Sequence, residues 1–129
     1  MDAKKTADRL GAKLYSVSPM QIKEADKCFA NVGPERFVSL IFNASFVFTN
    51  SFHATAFSII SRRQFCTYNY HSKANSSRMH SVLAEMEMLD RLNITDIDKT
   101  IDTPIDYSTK EKLISISCQN GKDWLLQNI

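Results

Sequence analysis

Between Phe37 and Ser61 the chain runs 25 residues without a charge, FVSLIFNASFVFTNSFHATAFSIIS, and places six of its eight phenylalanines there. Read at helical spacing, the run divides at Asn50, a residue suited to an N-cap. The first part lines up Phe37, Leu40, Ile41, Ala44 and Phe48 on one face. Val38, Phe42 and Phe46 form a second apolar stripe roughly opposite. The second part groups Phe52, Ala56, Ile59 and Ile60. A helix that is apolar on two sides is normally covered on two sides, so the run is expected to be mostly core.

Other segments carry the same period. Ser18, Pro19 and Gln21 have the form of a capping box with proline at the first helical position, and Ile22, Ala25, Phe29 and Val32 continue as one stripe. Gly33 is placed to stop that helix in a left-handed conformation, and Pro34 to open the next. In SSRMHSVLAEMEMLDRL, Met79, Val82, Leu83, Met86 and Leu89 share a face, and Glu87 is one turn before Arg91. Ser108 to Glu111 form a further capping box, starting a helix that carries Leu113 and Ile116 towards Gly121. Trp124 and Leu125 are then expected to dock as a terminal lid. Residues 94–106 repeat Ile-Asp three times, broken by Pro104, and read as an acidic connector within a single domain spanning 1–129.

The three glycines and three prolines leave Glu35 to Thr103 without either residue. Tight turns favour these residues, so their absence predicts a mainly α fold, a single-domain bundle of about five or six helices. The alternative is α+β, with a hairpin around residues 54–71 packed on helices, because Phe, Val and Thr are strand formers and FCTYNYH resembles a strand. A membrane span is not expected, since Asn43, Ser45, Asn50, Ser51 and His53 interrupt the apolar run.

Composition changes this picture little. The net charge of +2 gives no global case for nucleic acid or lipid. Residues 1–80 hold 11 Lys/Arg against 5 Asp/Glu and residues 81–129 hold 5 against 9, a polarity that folding could neutralise. Cys28, Cys66 and Cys118 are well separated, and the N-terminal residues lack the apolar stretch of a leader. Buried free thiols in a cytoplasmic, reducing setting are therefore expected.

Candidate chemistry is sparse. Asp96, Asp98, Thr100 and Asp102 have the alternate spacing of a calcium loop, but Ile101 stands where glycine is needed and Tyr107 where glutamate is needed. Cys66, His71 and His80 lack a fourth zinc ligand. No phosphate loop, nucleophile elbow or metalloprotease motif occurs, so no metal or cofactor is assigned. Arg62, Arg63, Phe65, Tyr68, Tyr70, Lys73 and Arg78 interleave cations with rings, the mixture that holds single-stranded nucleic acid. Phe42, Phe46 and Met88 are surplus apolar positions beyond the main stripes. These features lead to the expectation of a small non-enzymatic intracellular protein, an adaptor, inhibitor or assembly subunit, that binds another protein through an apolar helical surface. Nucleic-acid binding through residues 62–78 is the alternative, and an enzyme without a recognisable motif the third. A homo-oligomer is compatible with all three.

Overall fold

The computed structural model describes residues 2–17, 22–69 and 73–128, with 73–76, 121–126 and 128 as backbone only. Along these residues the order is α1 (Asp2–Leu10), β1 (Tyr15–Val17), β2 (Lys27–Phe29), α2 (Pro34–Phe42), β3 (Phe46–Thr49), α3 (Phe52–Ile60), β4 (Gln64–Thr67), α4 (Lys73–Glu85), α5 (Ile97–Asp102) and α6 (Glu111–Asn128). Single 3₁₀ turns at Leu89–Arg91 and Tyr107–Thr109 precede α5 and α6. Helix dominates, as the missing breakers predicted. The sheet is minor, two strand pairs, both parallel.

The unit β3–α3–β4 shows why the Phe-rich run needs neither glycine nor proline. Phe46 to Thr49 is a short stretch of aromatic and β-branched residues, bounded by Asn43-Ala44-Ser45 and Asn50-Ser51. It pairs with β4 in the register Phe46↔Gln64, Val47↔Phe65, Phe48↔Cys66 and Thr49↔Thr67. Parallel strands require a crossover rather than a hairpin, and α3 supplies it. Ser51 caps α3, its side chain accepting from the Ala54 N–H at 3.3 Å. At the other end Arg62 lies at φ 56°, with its N–H on the Ile59 carbonyl and the Arg63 N–H on the Ser58 carbonyl. That is the left-handed C-terminal motif usually given to glycine. Glu87, at φ 55°, closes α4 in the same way, and Gly11, at φ 63°, closes α1.

The main core forms where α3 and β4 meet α4 and α6. Ile59, Phe65, Met79, Leu83, Met86, Met88, Tyr107 and Ile114 pack together, with Val47, Phe52 and Leu113 against them. Phe65, Cys66 and Thr67 are all buried, so β4 is covered on both faces. Arg91 is buried too, at 1% exposure. Its guanidinium donates to the carbonyls of Phe65 (3.3 Å), Thr103 (2.6 Å) and Thr100 (3.5 Å), tying β4 to the end of α5. The acidic connector contains a real helix, α5, capped by Asp96 and anchored by buried Ile97. Its Asp98 and Asp102 meet Lys5 and Arg9 of α1, so part of the charge polarity is neutralised across the fold.

Several local expectations are corrected. Residues 27–29 are strand, not the continuation of a helix from Ser18, because Cys28 and Phe29 find backbone partners in β1; the capping box at 18–21 lies outside the described residues. Gly33 is extended (φ −72°, ψ 167°) and stands as N-cap of α2, where Pro34 takes the first position as expected. Helix α2 ends at Asn43, whose side chain donates to the Ser39 carbonyl (2.8 Å), so Phe42 and Phe46 belong to different elements. Strand β4 occurs within the proposed hairpin segment, but residues 52–60 are helix and the pairing is parallel. Arg91 turns into the core instead of pairing with Glu87, and Gly121 does not end α6, which continues to Asn128. Trp124 and Leu125 lie where only backbone is described. Among the described residues, no helix is long and apolar enough to cross a membrane.

Candidate functional site

A cleft of about 960 Å³ opens between the two strand pairs. Its lining includes every residue from Ala12 to Val17 and every residue from Asn43 to Asn50. Side chains of a strand alternate between faces, so an unbroken run of lining residues means that β1 and β3 present their edges. Among the described residues β1 pairs only with β2, and β3 only with β4. The cleft walls therefore offer alternating backbone N–H and C=O groups, together with the side chains of Ser16, Ser45, Thr49 and Asn50. Apolar surface comes from α1 through Ala7 and Leu10 and from α2 through Phe37, Leu40 and Ile41.

One end of the cleft lies at the carboxyl ends of β3 and β4, where parallel α/β units usually hold ligands. Asn50 follows β3, Tyr68 and Asn69 follow β4, and Ala54 in the first turn of α3 also faces the cavity. The local hydrogen bonds fix this edge. The Tyr68 N–H donates to the Thr49 carbonyl (3.0 Å), and the Ser51 N–H to the Thr49 hydroxyl (3.0 Å). Asn93 clamps the end of β4: its N–H donates to the Thr67 carbonyl (2.9 Å) and its side-chain amide to Asn69 Oδ1 (2.7 Å). The Asn69 N–H returns a bond to Asn93 Oδ1 at 3.1 Å. Asn93 sits at φ 51°, a conformation that asparagine tolerates better than most residues.

Charge is scarce in the cleft. Lys13 is the only Lys, Arg, Asp or Glu in its described lining, and no histidine lines it. Cys66 is no candidate nucleophile, because burial pushes its thiol up to about 12. No group of three His, Cys, Asp or Glu side chains among the described residues is arranged to hold a metal ion.

The residues singled out from the sequence do not converge. Phe42 is 40% exposed at the end of α2, whereas Phe46 stacks on Phe48 of the same strand at 4.9 Å. Of the three, only Phe46 lines the cleft. Met88 is 1% exposed within the core and offers no surface. In the basic-aromatic segment, Phe65 is wholly buried, Arg62 is paired with Glu111 at 2.6 Å, and Arg78 lies 4.8 Å over the Phe52 ring. Tyr70 lies outside the described residues, and the Lys73 side chain is not described. What sequence reasoning missed is the strand edges: β1 is three residues long, too short for alternation to stand out.

The sequence model of the polysaccharide pyruvyl transferase family matches residues 7–72. The chain belongs to this family. The match begins in α1, spans both parallel pairs and ends before α4. All residues that line the cleft lie within it except Ala3 and Thr6. No curated protein and no solved structure matches the chain. Membership of an enzyme family overturns the expectation of a non-enzymatic protein that binds another protein through an apolar helical surface. The match spans 66 residues, and none of the compact catalytic motifs considered from the sequence occurs within it.

Proposed function

We propose that the chain is a transferase that moves a pyruvyl group onto a saccharide, with the cleft between β1 and β3 as its binding site. The observation that carries this reading is the overlap of the family match with the cleft lining. The chemistry of the walls supports it. A saccharide presents many hydroxyls, each both donor and acceptor, and strand edges offer both kinds of partner in alternation. The apolar side of the cleft, with Phe37 and Leu40, suits the C–H faces of a sugar ring. Lys13 supplies the positive charge that a pyruvyl carboxylate requires, and the first turn of α3 adds the partial positive charge of a helix N-terminus.

The described lining holds no carboxylate or imidazole, so its contribution is to bind and orient the two reactants rather than to move protons. The three unpaired cysteines fit a reducing compartment such as the cytoplasm.

The test is transfer itself. Purified protein, a panel of activated pyruvyl donors and neutral polysaccharides should yield acceptor bearing the pyruvyl methyl resonance. Lys13→Gln should cut the rate by about tenfold or more, the usual weight of a lost charge-assisted contact. No transfer with any donor, from protein whose fold is intact, would refute the proposal.

A further inference from the structure

Beside the cleft, two cations crowd one aromatic ring. Lys27 Nζ lies 5.0 Å and the Arg36 guanidinium 4.9 Å from the centre of the Phe29 ring, and Tyr15 meets the same ring edge-on at 5.7 Å. The three elements β1, β2 and α2 converge to make this patch. The register places Tyr15 opposite Lys27, and two residues further along each strand Val17 stands opposite Phe29. Lys27 and Arg36 are exposed, and neither forms an ion pair among the described residues. Of the carboxylates adjacent in sequence, Asp26 accepts the Leu14 N–H at 2.7 Å, and Glu35, next to Arg36, forms no ion pair among the described residues. Tyr15, 47% exposed, belongs both to this patch and to the cleft lining. The patch thus adjoins the cleft at Tyr15.

Two like charges against one ring repel each other, and an anion between or beside them relieves that repulsion. The exposed Tyr15 ring next to the cations suits the C–H face of a sugar. We infer that this patch binds a carboxylate-bearing saccharide unit, with the sugar ring on Tyr15 and the carboxylate on Lys27 and Arg36, which Phe29 holds together. The inference rests on the proposed function and extends it. An acceptor polymer acquires a carboxylate with each pyruvyl group it receives, so an anion-binding patch beside the cleft would hold a unit already modified while the next one enters.

The experiment compares two oligosaccharides of equal length by isothermal titration, one neutral and one of uronic acid units. The wild-type protein should bind the acidic probe at least about fivefold more tightly, the size expected of two exposed charge pairs. That preference should fade as salt is raised. The double variant Lys27→Gln/Arg36→Gln should bind both probes equally, with affinity for the neutral probe unchanged. Phe29→Leu, which keeps both cations, should weaken the acidic probe without abolishing its salt dependence. Equal binding of the two probes by the wild type, or a preference that survives in the double variant, would overturn the inference while neutral binding left the proposed function standing. Failure of both probes to bind would defeat the inference and count against the saccharide reading as well.

Discussion

Arg91 is the residue whose environment departs most from what its type suggests. A guanidinium at 1% exposure is held by three backbone carbonyls, and the nearest carboxylate oxygen, on exposed Asp90, is 4.0 Å away. Removing it takes a donor from the buried Phe65 carbonyl of β4 and unties β4 from the end of α5. Arg91→Ala should therefore lower stability by about 3 kcal/mol or more in denaturant titrations, and a loss under 1 kcal/mol, roughly, would show that the network carries no weight. Cys66 gives an independent check on the same core. Its thiol, pushed up to about 12 by burial, should resist alkylation near pH 8 until the chain unfolds, whereas exposed Cys118 should react at once. Rapid labelling of Cys66 in native protein would place β4 nearer solvent than described. Cys66 is buried, as the sequence led one to expect of its free thiols, whereas Cys28 is half-buried and Cys118 exposed; the role of Arg91 was not legible. Arg91 looked like an exposed partner for Glu87, because spacing alone cannot register the left-handed turn at Glu87 that breaks the helix between them.

That turn shows why helix content was legible while the ends of the helices were not. The absence of glycine and proline was rightly read as helix, but three of the helix ends use one left-handed motif, and only Gly11 advertises it. At Arg62 and Glu87 the motif falls on residues that disfavour it. Glu87→Gly should raise stability by up to about 1 kcal/mol, since a β-carbon in this conformation is a strain that glycine lacks. A clear destabilisation would mean that the Glu87 side chain matters more than its backbone. The ion pair from Arg62 to Glu111 joins the end of α3 to the start of α6. The hydrogen bond from Arg62, and then its charge, hold the Glu111 carboxyl below its ordinary 4.5. A depressed carboxyl stabilises the fold above its unfolded value and loses that contribution as pH falls through the folded one. Glu111→Gln should thus lower the melting temperature slightly at pH 7, and the gap to wild type should close below its ordinary 4.5. A gap that persists in acid would point to packing instead of charge. Strand β4 was partly legible, because FCTYNYH resembles a strand, but β3 was not: it is four residues long, and over so short a length the Phe-rich run satisfies a helical period as well as a strand period.

Taken together, the two parallel pairs, the crossover helix and the helices around them produce a molecule whose main core lies about α3, β4 and α4 and whose open edges lie at β1 and β3. The apolar surplus in the Phe-rich run was partly legible as core, through Ile59 and half-buried Phe52, but its other function was not. Residues 43–50 wall a cleft, and they do so with backbone edges, which no side-chain motif reveals. The family match to residues 7–72 supplies what the motif search could not, a reason to connect that cleft with pyruvyl transfer to saccharides. Backbone amide NMR of the whole chain, titrated with a neutral oligosaccharide, tests this connection most directly. Saccharide binding in the cleft predicts shifts concentrated at Ser16, Val47, Thr49, Asn50 and Asn69, with little change at Leu83 and Ile114 in the core. Shifts confined to residues distant from β1 and β3, or none at saturating saccharide, would contradict it.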